Sequence, residues 1–153
     1  MDRLTTAELE LWHAWKRAAE NVRALVAADI TAATGLSDPD FGVLTRVVEI
    51  GGGRMRQAQL AESMGYHRSR LSHHLSRMEE RGLVTREAAS PGGGVDVVAT
   101  ASGTAAATAA RPVHAAAVRR HLLAPLADCD REAVRSALER LAAGPDGLAG
   151  QSG

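Results

Sequence analysis

The chain has 153 residues, enough for one domain with a modest core. Its 18 basic and 18 acidic residues give a formal net charge of zero, which argues against a protein that binds every polyanion indiscriminately. A single cysteine, Cys129, excludes an intrachain disulfide framework and leads us to expect a cytoplasmic protein. We expect neither a signal peptide nor a membrane partner, because no apolar run approaches the roughly 18 residues of a membrane span.

Two helices are predicted at the start of the chain. The sequence Thr5-Thr6-Ala7-Glu8 has the spacing of a capping box, and apolar residues then recur every three or four positions, which predicts a long helix ending near Gly35. The sequence Ser37-Asp38-Pro39-Asp40 opens a second helix, because proline and acidic side chains are both favoured in a first helical turn. We expect this second helix to end at Gly51-Gly52-Gly53.

A pair of short helices and a hairpin are predicted next. A helix around Leu60 is closed by Gly65, and another is expected over residues 67–81, with Gly82 after it. Beyond Gly82 the apolar period is that of a strand, so residues 83–98 are interpreted as strand, glycine-rich turn and strand. A β-hairpin directly after two short helices is typical of the wing of a winged helix.

The remainder of the chain returns to helical spacing. A helix is predicted from Ser102 to Leu126, with a kink at Pro112 because proline lacks a backbone N–H. Either Asp128 or Asp130 is expected to cap a final helix. The chain is therefore predicted to be mostly α-helical, with one small hairpin.

The helix over residues 67–81 has two different faces. On a helical wheel one narrow stripe is apolar, with Arg68 and His74 at its borders, and the far side is polar. The apolar stripe consists of Leu71, Leu75 and Met78. A charged outer face is most often simply solvated, but this one is rich in short hydrogen-bond donors and lacks lysine. The segment from Arg54 to Arg86 also holds seven arginines against three glutamates, so we favour DNA binding.

We predict DNA contacts from the polar side of this helix and from the arginines that flank it. Arginine can bind guanine O6 and N7 bidentately in the major groove, and serine or arginine near the helix ends can bind phosphate. The predicted DNA-binding residues are Arg54, Arg56, His67, Arg68, Ser69, Arg70, Ser72, His73, His74, Arg77 and Arg86. Among them we expect Arg70 to contact a base and Arg77 to contact phosphate.

Four short stretches occur in an order that is specific in combination. They are Leu60-Ala61-Glu62-Ser63-Met64-Gly65, Arg68-Ser69-Arg70-Leu71-Ser72-His73, Arg77-Met78-Glu79-Glu80-Arg81-Gly82-Leu83-Val84 and Thr100-Ala101-Ser102-Gly103. Together they resemble the MarR family of bacterial transcription regulators, over about residues 10–141. The resemblance implies a winged helix-turn-helix with long N- and C-terminal dimerisation helices. It also implies a homodimer, more often a repressor than an activator, that binds a pseudo-palindromic site on double-stranded DNA.

On this basis residues 1–143 are expected to form one domain. Residues 36–100 correspond to the winged helix-turn-helix core, residues 5–34 and 101–143 to the dimerisation helices, and residues 144–153 to a flexible tail. The residues themselves also favour a dimer, because the flanking helices carry more apolar side chains than a small winged domain can cover. The alternative is that these helices pack on each other within one chain.

Two positions depart from the family's pattern. The family usually has an Asp-x-Arg wing tip whose arginine enters the minor groove, whereas this chain has Ser90-Pro91-Gly92-Gly93-Gly94. No basic residue occurs between Arg86 and Arg111, so we expect affinity to depend on the helix over residues 67–81 rather than on the wing. The usual serine or threonine cap before that helix is His67 here, which can also donate to phosphate when protonated.

The resemblance further implies that a small organic effector, often aromatic or anionic, releases the DNA. Such effectors bind between the dimerisation helices and the winged domain. The candidate ligand-binding residues are Trp12, His13, Trp15, Lys16 and Phe41. The simpler interpretation of the two tryptophans is that they pack in the core or at the dimer interface.

Alternative functions stay open for the same fold. A thiol-responsive sensor would use Cys129, near a helix start, and a metal-responsive one would use His114, His121 and Asp128, although no His-x-x-x-His pair supports a metal site. A winged helix that binds a protein instead of DNA is also conceivable, given the glycine-rich wing. The sequence has neither a phosphate-binding loop nor a nucleophile elbow, so we expect no enzyme activity, no cofactor and no resident metal.

Overall fold

The computed structural model describes residues 3–148 as a mostly helical chain with one small sheet. Its helices are α1 (Thr6–Thr34), α2 (Asp38–Thr45), α3 (Gln57–Met64), α4 (Arg68–Glu80), α5 (Ala101–Val118) and α6 (Arg131–Leu148). Its strands are β1 (Arg54–Arg56), β2 (Val84–Ala88) and β3 (Val95–Ala99). A π-helical turn continues α2 over Arg46–Ile50, and another continues α5 over Arg119–Leu123. Within the described residues, no helix is both long and apolar enough to span a membrane.

The helix N-termini follow the predicted caps. The Thr5 hydroxyl accepts a hydrogen bond from the Glu8 backbone N–H, and the Glu8 carboxylate accepts one from the Thr5 backbone N–H, which confirms the capping box. Ser37 and Asp40 make the same reciprocal pair at the start of α2. Asp130, one of the two predicted caps of α6, accepts hydrogen bonds from two backbone N–H groups of its first turn.

Three local features differ from the predicted elements: an additional strand, the position of the irregularity in α5, and a break in α6. β1 was not predicted, because this three-residue strand is defined by its pairing with β3, about forty residues later. α5 runs from Ala101 to Val118 with Pro112 inside it, and the departure from α-helical geometry lies at the π-helical turn rather than at the proline. Gly144 interrupts α6 where the tail was expected to begin, and residues 149–153 of that tail lie outside the described residues.

The three strands form an antiparallel sheet in the order β1–β3–β2. Val84 lies opposite Ala99 and Ala88 lies opposite Val95, so β2 and β3 form a regular hairpin. The Ala89 N–H donates to the Gly94 carbonyl at 3.0 Å and closes the loop between them. The predicted wing, and with it the winged helix-turn-helix fold, is confirmed.

The hydrophobic core lies between α2, α3, α4, α5 and the sheet. Leu71, Leu75 and Met78 of α4 are fully buried, which confirms the predicted apolar stripe. Their neighbours in the core include Leu44, Val47, Leu60, Val84 and Val97. Because one side of α4 is fixed in this core, its opposite side is held towards solvent beside the wing.

A buried carboxylate joins α2 to α4. Asp40 is only 1% exposed, and it accepts two hydrogen bonds from the guanidinium of Arg81, at 3.0 and 2.8 Å. His74 Nε2 lies 3.1 Å from Asp40 Oδ1 but is poorly aligned for a hydrogen bond. Burial on its own raises the pKa of Asp40, but the hydrogen bonds from Arg81 and Ser37 outweigh it and hold that pKa below its usual value. Asp40 is therefore a buried anion that holds both helices.

α1 and α6 extend beyond this core. α1 packs mainly on α5, and Ile30 is the one buried residue of that helix, whereas every residue from Arg3 to Ala18 is exposed. α6 makes few contacts with the rest of the described chain. Large apolar side chains are consequently exposed on both helices, namely Leu9, Leu11, Trp12, Trp15, Leu138 and Leu141.

We expect Gly103→Ala to destabilise the fold, because a Cβ on Gly103 would lie 2.0 Å from the Leu83 carbonyl oxygen. Backbone must move to relieve this overlap, so the free energy of unfolding should fall by about 1–3 kcal/mol in urea denaturation. Gly42→Ala is the matched control, since its Cβ would meet only the flexible side-chain ends of Met64, at 3.3 Å, and Arg46, at 3.5 Å. The control should be neutral or gain up to about 1 kcal/mol from helix propensity. Equal stability of the two variants would contradict the close approach.

His74 should make the stability depend on pH. Burial lowers the pKa of His74, and the attraction of Asp40 offsets this only in part, so the unfolded chain binds the proton first as the pH falls through 6.5. The free energy of unfolding should therefore decrease below that pH, until the pKa of the folded state is passed. In urea denaturation from about pH 8 to about pH 5, His74→Gln should lose less stability than the wild type. Equal losses would show that His74 does not contribute.

Candidate nucleic-acid interface

The outer face of α4 (Arg68, Ser69, Arg70, His73 and Arg77) is exposed throughout. The side chains of Arg68, Arg70 and His73 form no hydrogen bond or ion pair with any residue that the structure describes. Arg77 contacts only His74 Nδ1, at 3.3 Å. The structure thus brings these five predicted site residues together on one surface, where Arg68, Arg70 and His73 keep their side-chain N–H donors free.

His67 caps the N-terminus of α4, as predicted. Its Nδ1 accepts a hydrogen bond from the Ser69 backbone N–H at 3.3 Å and lies 2.9 Å from Ser69 Oγ. When Nδ1 accepts in this way, Nε2 is the ring nitrogen that carries the hydrogen. The exposed His67 ring therefore keeps one donor free at the end of the outer face.

His74 does not belong to the outer face, and its predicted contact with DNA is corrected here. The side chain is buried, with Nε2 next to Asp40 and Nδ1 next to Arg77. The helical wheel placed it at the border between the two faces. The packing of α2 against α4, which a wheel does not include, makes that border position an interior one.

Arg86 and Ser72 are bound to each other at the side of α4. Arg86 donates from Nε to the Glu79 carboxylate, from Nη2 to Ser76 Oγ at 2.8 Å, and from Nη1 to Ser72 Oγ at 3.2 Å. Both residues were predicted to contact DNA. In the structure they instead fasten β2 to α4, so a phosphate would have to compete with these hydrogen bonds.

The arginines of β1 are paired with the hairpin. Arg54 forms ion pairs with two acidic side chains of the hairpin, Glu87 at 2.7 Å and Asp96 at 3.1 Å. Arg56 Nε lies 3.1 Å from Asp96, and its terminal nitrogens donate to the carbonyls of Pro91 and Gly93 in the wing loop. Their positive charge, which the sequence counts towards DNA binding, is therefore largely neutralised at the base of the wing.

Tyr66 was not singled out from the sequence, although it adjoins the outer face. The guanidinium carbon of Arg70 lies 3.9 Å from the centre of the Tyr66 ring. A tyrosine four residues before an arginine is a detectable signal, but Tyr66 precedes α4, and its place under Arg70 depends on the turn that joins α3 to α4. The turn, rather than the helix, brings the two together.

The candidate ligand-binding residues fall into two separate groups. The first lies in the exposed part of α1 and consists of Trp12, His13, Trp15 and Lys16. The two tryptophan rings stack at 5.4 Å, and the Lys16 ammonium lies 5.8 Å from the Trp12 ring. Phe41 instead packs beside His114, with ring centres 5.1 Å apart, in an open groove between α2 and α5. About 22 Å of helix separates Trp15 from Ile30, where α1 enters the core.

The residues of the metal- and thiol-sensing alternatives are dispersed. His114 lies beside Phe41, whereas His121 Nε2 lies 2.9 Å from an Asp29 carboxylate oxygen. Across the part of the chain that the structure describes, no three His, Cys, Asp or Glu side chains come together as metal ligands. Cys129 is exposed and unpaired with another cysteine.

Comparisons with known proteins agree with the geometry. A sequence model of the MarR family matches residues 24–94. The chain is 32% identical to AbsC, a MarR family transcriptional regulator from Streptomyces coelicolor, with a TM-score of 0.86 over 99% of this chain and 100% of AbsC. It is 26% identical to Sco3205, a MarR family regulator of the same organism solved in complex with DNA, with a TM-score of 0.81 over 94% of this chain and 91% of Sco3205.

A more distant likeness shows the fold alone. CouR from Rhodococcus jostii RHA1, solved with bound p-coumaroyl-CoA, is 22% identical, with a TM-score of 0.70 over 94% of each chain. A comparison with curated proteins gives no match. The similarity to AbsC over the whole length, together with the winged helix and the matching sequence pattern, identifies the family. The chain belongs to the MarR family of DNA-binding transcriptional regulators and is not an enzyme.

Proposed function

We propose that this protein is a homodimeric repressor that binds a pseudo-palindromic DNA site through the outer face of α4. The observation that carries the proposal is that face itself, which presents arginine, serine and histidine donors while the opposite side of the helix is fixed in the core. A single α-helix fits the major groove of B-DNA. The complex of Sco3205 with DNA supports the same role for this related chain.

The two kinds of contact are assigned to different residues. Arg70 lies in the first turns of α4, without an ion pair among the described residues, and is proposed to bind a guanine edge. Arg68 and Arg77 lie towards the two ends of the helix and are proposed to bind phosphate, with His67 and Ser69 beside Arg68. Specificity then depends mainly on Arg70, and affinity on all of these residues.

The exposed apolar side chains of α1 and α6 support the homodimer. Leu11 is 73% exposed and Leu141 is 63% exposed, which is unfavourable for an isolated chain in water. A second copy with two-fold symmetry can cover both helices at once. Two copies of α4 then contact two half-sites about one turn of DNA apart.

A small organic effector is proposed to release the DNA. The groove beside Phe41 offers an aromatic ring, the imidazole of His114, and Arg111, which is bound to Glu49 at 2.6 Å. An aromatic anion could stack in this groove and compete with Glu49 for Arg111. The α1 group around Trp12 is proposed to lie at the dimer interface. Titrating the DNA complex with phenolic acids, zinc and peroxide separates this effector class from the metal and thiol alternatives.

Arginine variants test the DNA-binding surface. Gel shifts should use a duplex that the wild-type protein enriches from a pool of random sequences, with unselected DNA as the comparison. Arg70→Ala should weaken binding to the enriched duplex by about 1–3 kcal/mol and relax the preference at one base position. Arg77→Ala should weaken binding to both DNAs alike and reduce the slope of log K against log salt by about one.

Arg54→Ala is the matched control for charge. Because Arg54 is paired with acidic side chains of the hairpin, its removal should leave the salt slope unchanged. No enrichment of any duplex at low salt would refute DNA binding and favour the protein-interaction alternative. A slope that decreases equally in the Arg54 and Arg77 variants would refute the assignment of the outer face.

A charge placed on α6 tests the dimer. Leu141→Glu should convert the wild-type dimer to a monomer in analytical ultracentrifugation, because a carboxylate would then be buried in the apolar interface. The neighbouring substitution Arg140→Ala removes an exposed side chain and should leave the dimer intact. A wild-type protein that sediments as a monomer at micromolar concentration would rule out the homodimer.

A further inference from the structure

We propose that Tyr66 is a positioning residue that holds the guanidinium of Arg70 in the orientation in which it contacts a base. The inference rests on the proposed role of Arg70 in DNA binding. It assigns to Tyr66, which lies outside α4, a part of the sequence specificity of the protein. Three features of the structure support it, namely the backbone of the turn, the packing of the ring, and the free N–H groups of Arg70.

The backbone at the end of α3 determines where Tyr66 lies. Gly65 has a φ of 64°, the left-handed conformation that ends a helix, and its N–H donates to the Glu62 carbonyl at 3.1 Å. The Tyr66 N–H donates to the Ala61 carbonyl at 2.9 Å. This pair of hydrogen bonds is the Schellman motif, in which the residue after the glycine turns back onto the helix. The position of Tyr66 is therefore fixed by two backbone hydrogen bonds of the turn, one of its own and one of Gly65.

The ring of Tyr66 is also held by the core. It is partly buried and packs against the core cluster. The guanidinium carbon of Arg70 lies over the ring, 3.9 Å from its centre. A guanidinium over an aromatic face is attracted by the ring quadrupole and also by dispersion. Arg70 thus lies on a fixed platform.

The contact with Tyr66 leaves the N–H groups of Arg70 free. A cation–π contact uses the charge of the guanidinium and occupies none of its five N–H donors. Arg70 has no acidic partner among the described residues that would occupy those groups. An arginine loses considerable rotamer freedom when it is immobilised on binding, and Tyr66 imposes part of that restriction before DNA arrives. Arg68 and Arg77 have no aromatic ring beneath them in the described structure.

The first test measures preference for the enriched duplex over unselected DNA. Tyr66→Leu should reduce this preference about two- to five-fold, the range expected for loss of an exposed cation–π contact, with an unchanged salt slope. Tyr66→Phe keeps the aromatic face and should retain the wild-type preference. In the Arg70→Ala background, Tyr66→Leu should cause no further loss, because the residue it positions is already absent.

The outcomes separate this inference from the proposed function. If Arg70→Ala reduces the preference but Tyr66→Leu does not, or if the two losses add, Tyr66 does not act through Arg70 and the inference fails. If Arg70→Ala itself leaves the preference unchanged, the assignment of Arg70 fails and the inference with it. A Tyr66→Leu effect that is equal on both DNAs indicates a general structural role and also overturns the inference.

A second measurement does not depend on the folding of a variant. The chain has a single tyrosine, so the signals of the Tyr66 ring can be assigned without ambiguity. In NMR spectra of the wild-type protein without DNA, the side-chain protons of Arg70 should be shifted upfield relative to those of Arg68. Arg70→Lys identifies the signals. Unshifted Arg70 protons in the free protein would contradict the positioning role.

Discussion

The placement of α4 depends on the buried carboxylate of Asp40. This anion has almost no contact with water, so its charge is stable there only while Arg81 and the backbone of Ser37 satisfy its oxygens. Asp40 lies in the first turn of α2 and Arg81 directly follows α4, so their ion pair links the two helices. The pair connects the groove beside Phe41, the next residue in α2, to the helix proposed to contact DNA.

Other contacts complete the support of α4 on its remaining sides. The Schellman turn at Gly65 fixes the approach of the chain to its N-terminus, and Arg86 fastens its flank to β2. The outer face is therefore carried by a fixed helix, and its residues Arg68, Arg70 and His73 make no hydrogen bond or ion pair with any described residue. Arginines elsewhere in the same segment are used for this support or for the wing. Local charge in the sequence thus overstates how many cations face a partner, because Arg54, Arg56 and Arg86 have internal acidic partners.

Local patterns in the sequence were sufficient for the helices, the capping box at Thr5, the hairpin and the apolar stripe of α4, because each depends on residues close together in the chain. Pairings between distant residues were not accessible. β1 is a strand only because it pairs with β3. The burial of His74 depends on its contact with Asp40, thirty-four residues earlier. The stack of Arg70 on Tyr66 was missed for a related reason, since it needs the geometry of a turn. The sequence located the candidate site on the helix over residues 67–81. Which arginines of the segment have internal acidic partners and which have none could be seen only in the structure.

The ion pairs at the base of the wing have a consequence for target search. Binding to arbitrary DNA is mainly electrostatic and strengthens with each unpaired cation that faces the backbone. Because the β1 arginines are tied to the hairpin, they add little to that attraction. Attraction to arbitrary DNA then rests on the unpaired arginines of the outer face of α4, the surface that is also proposed to recognise the target site.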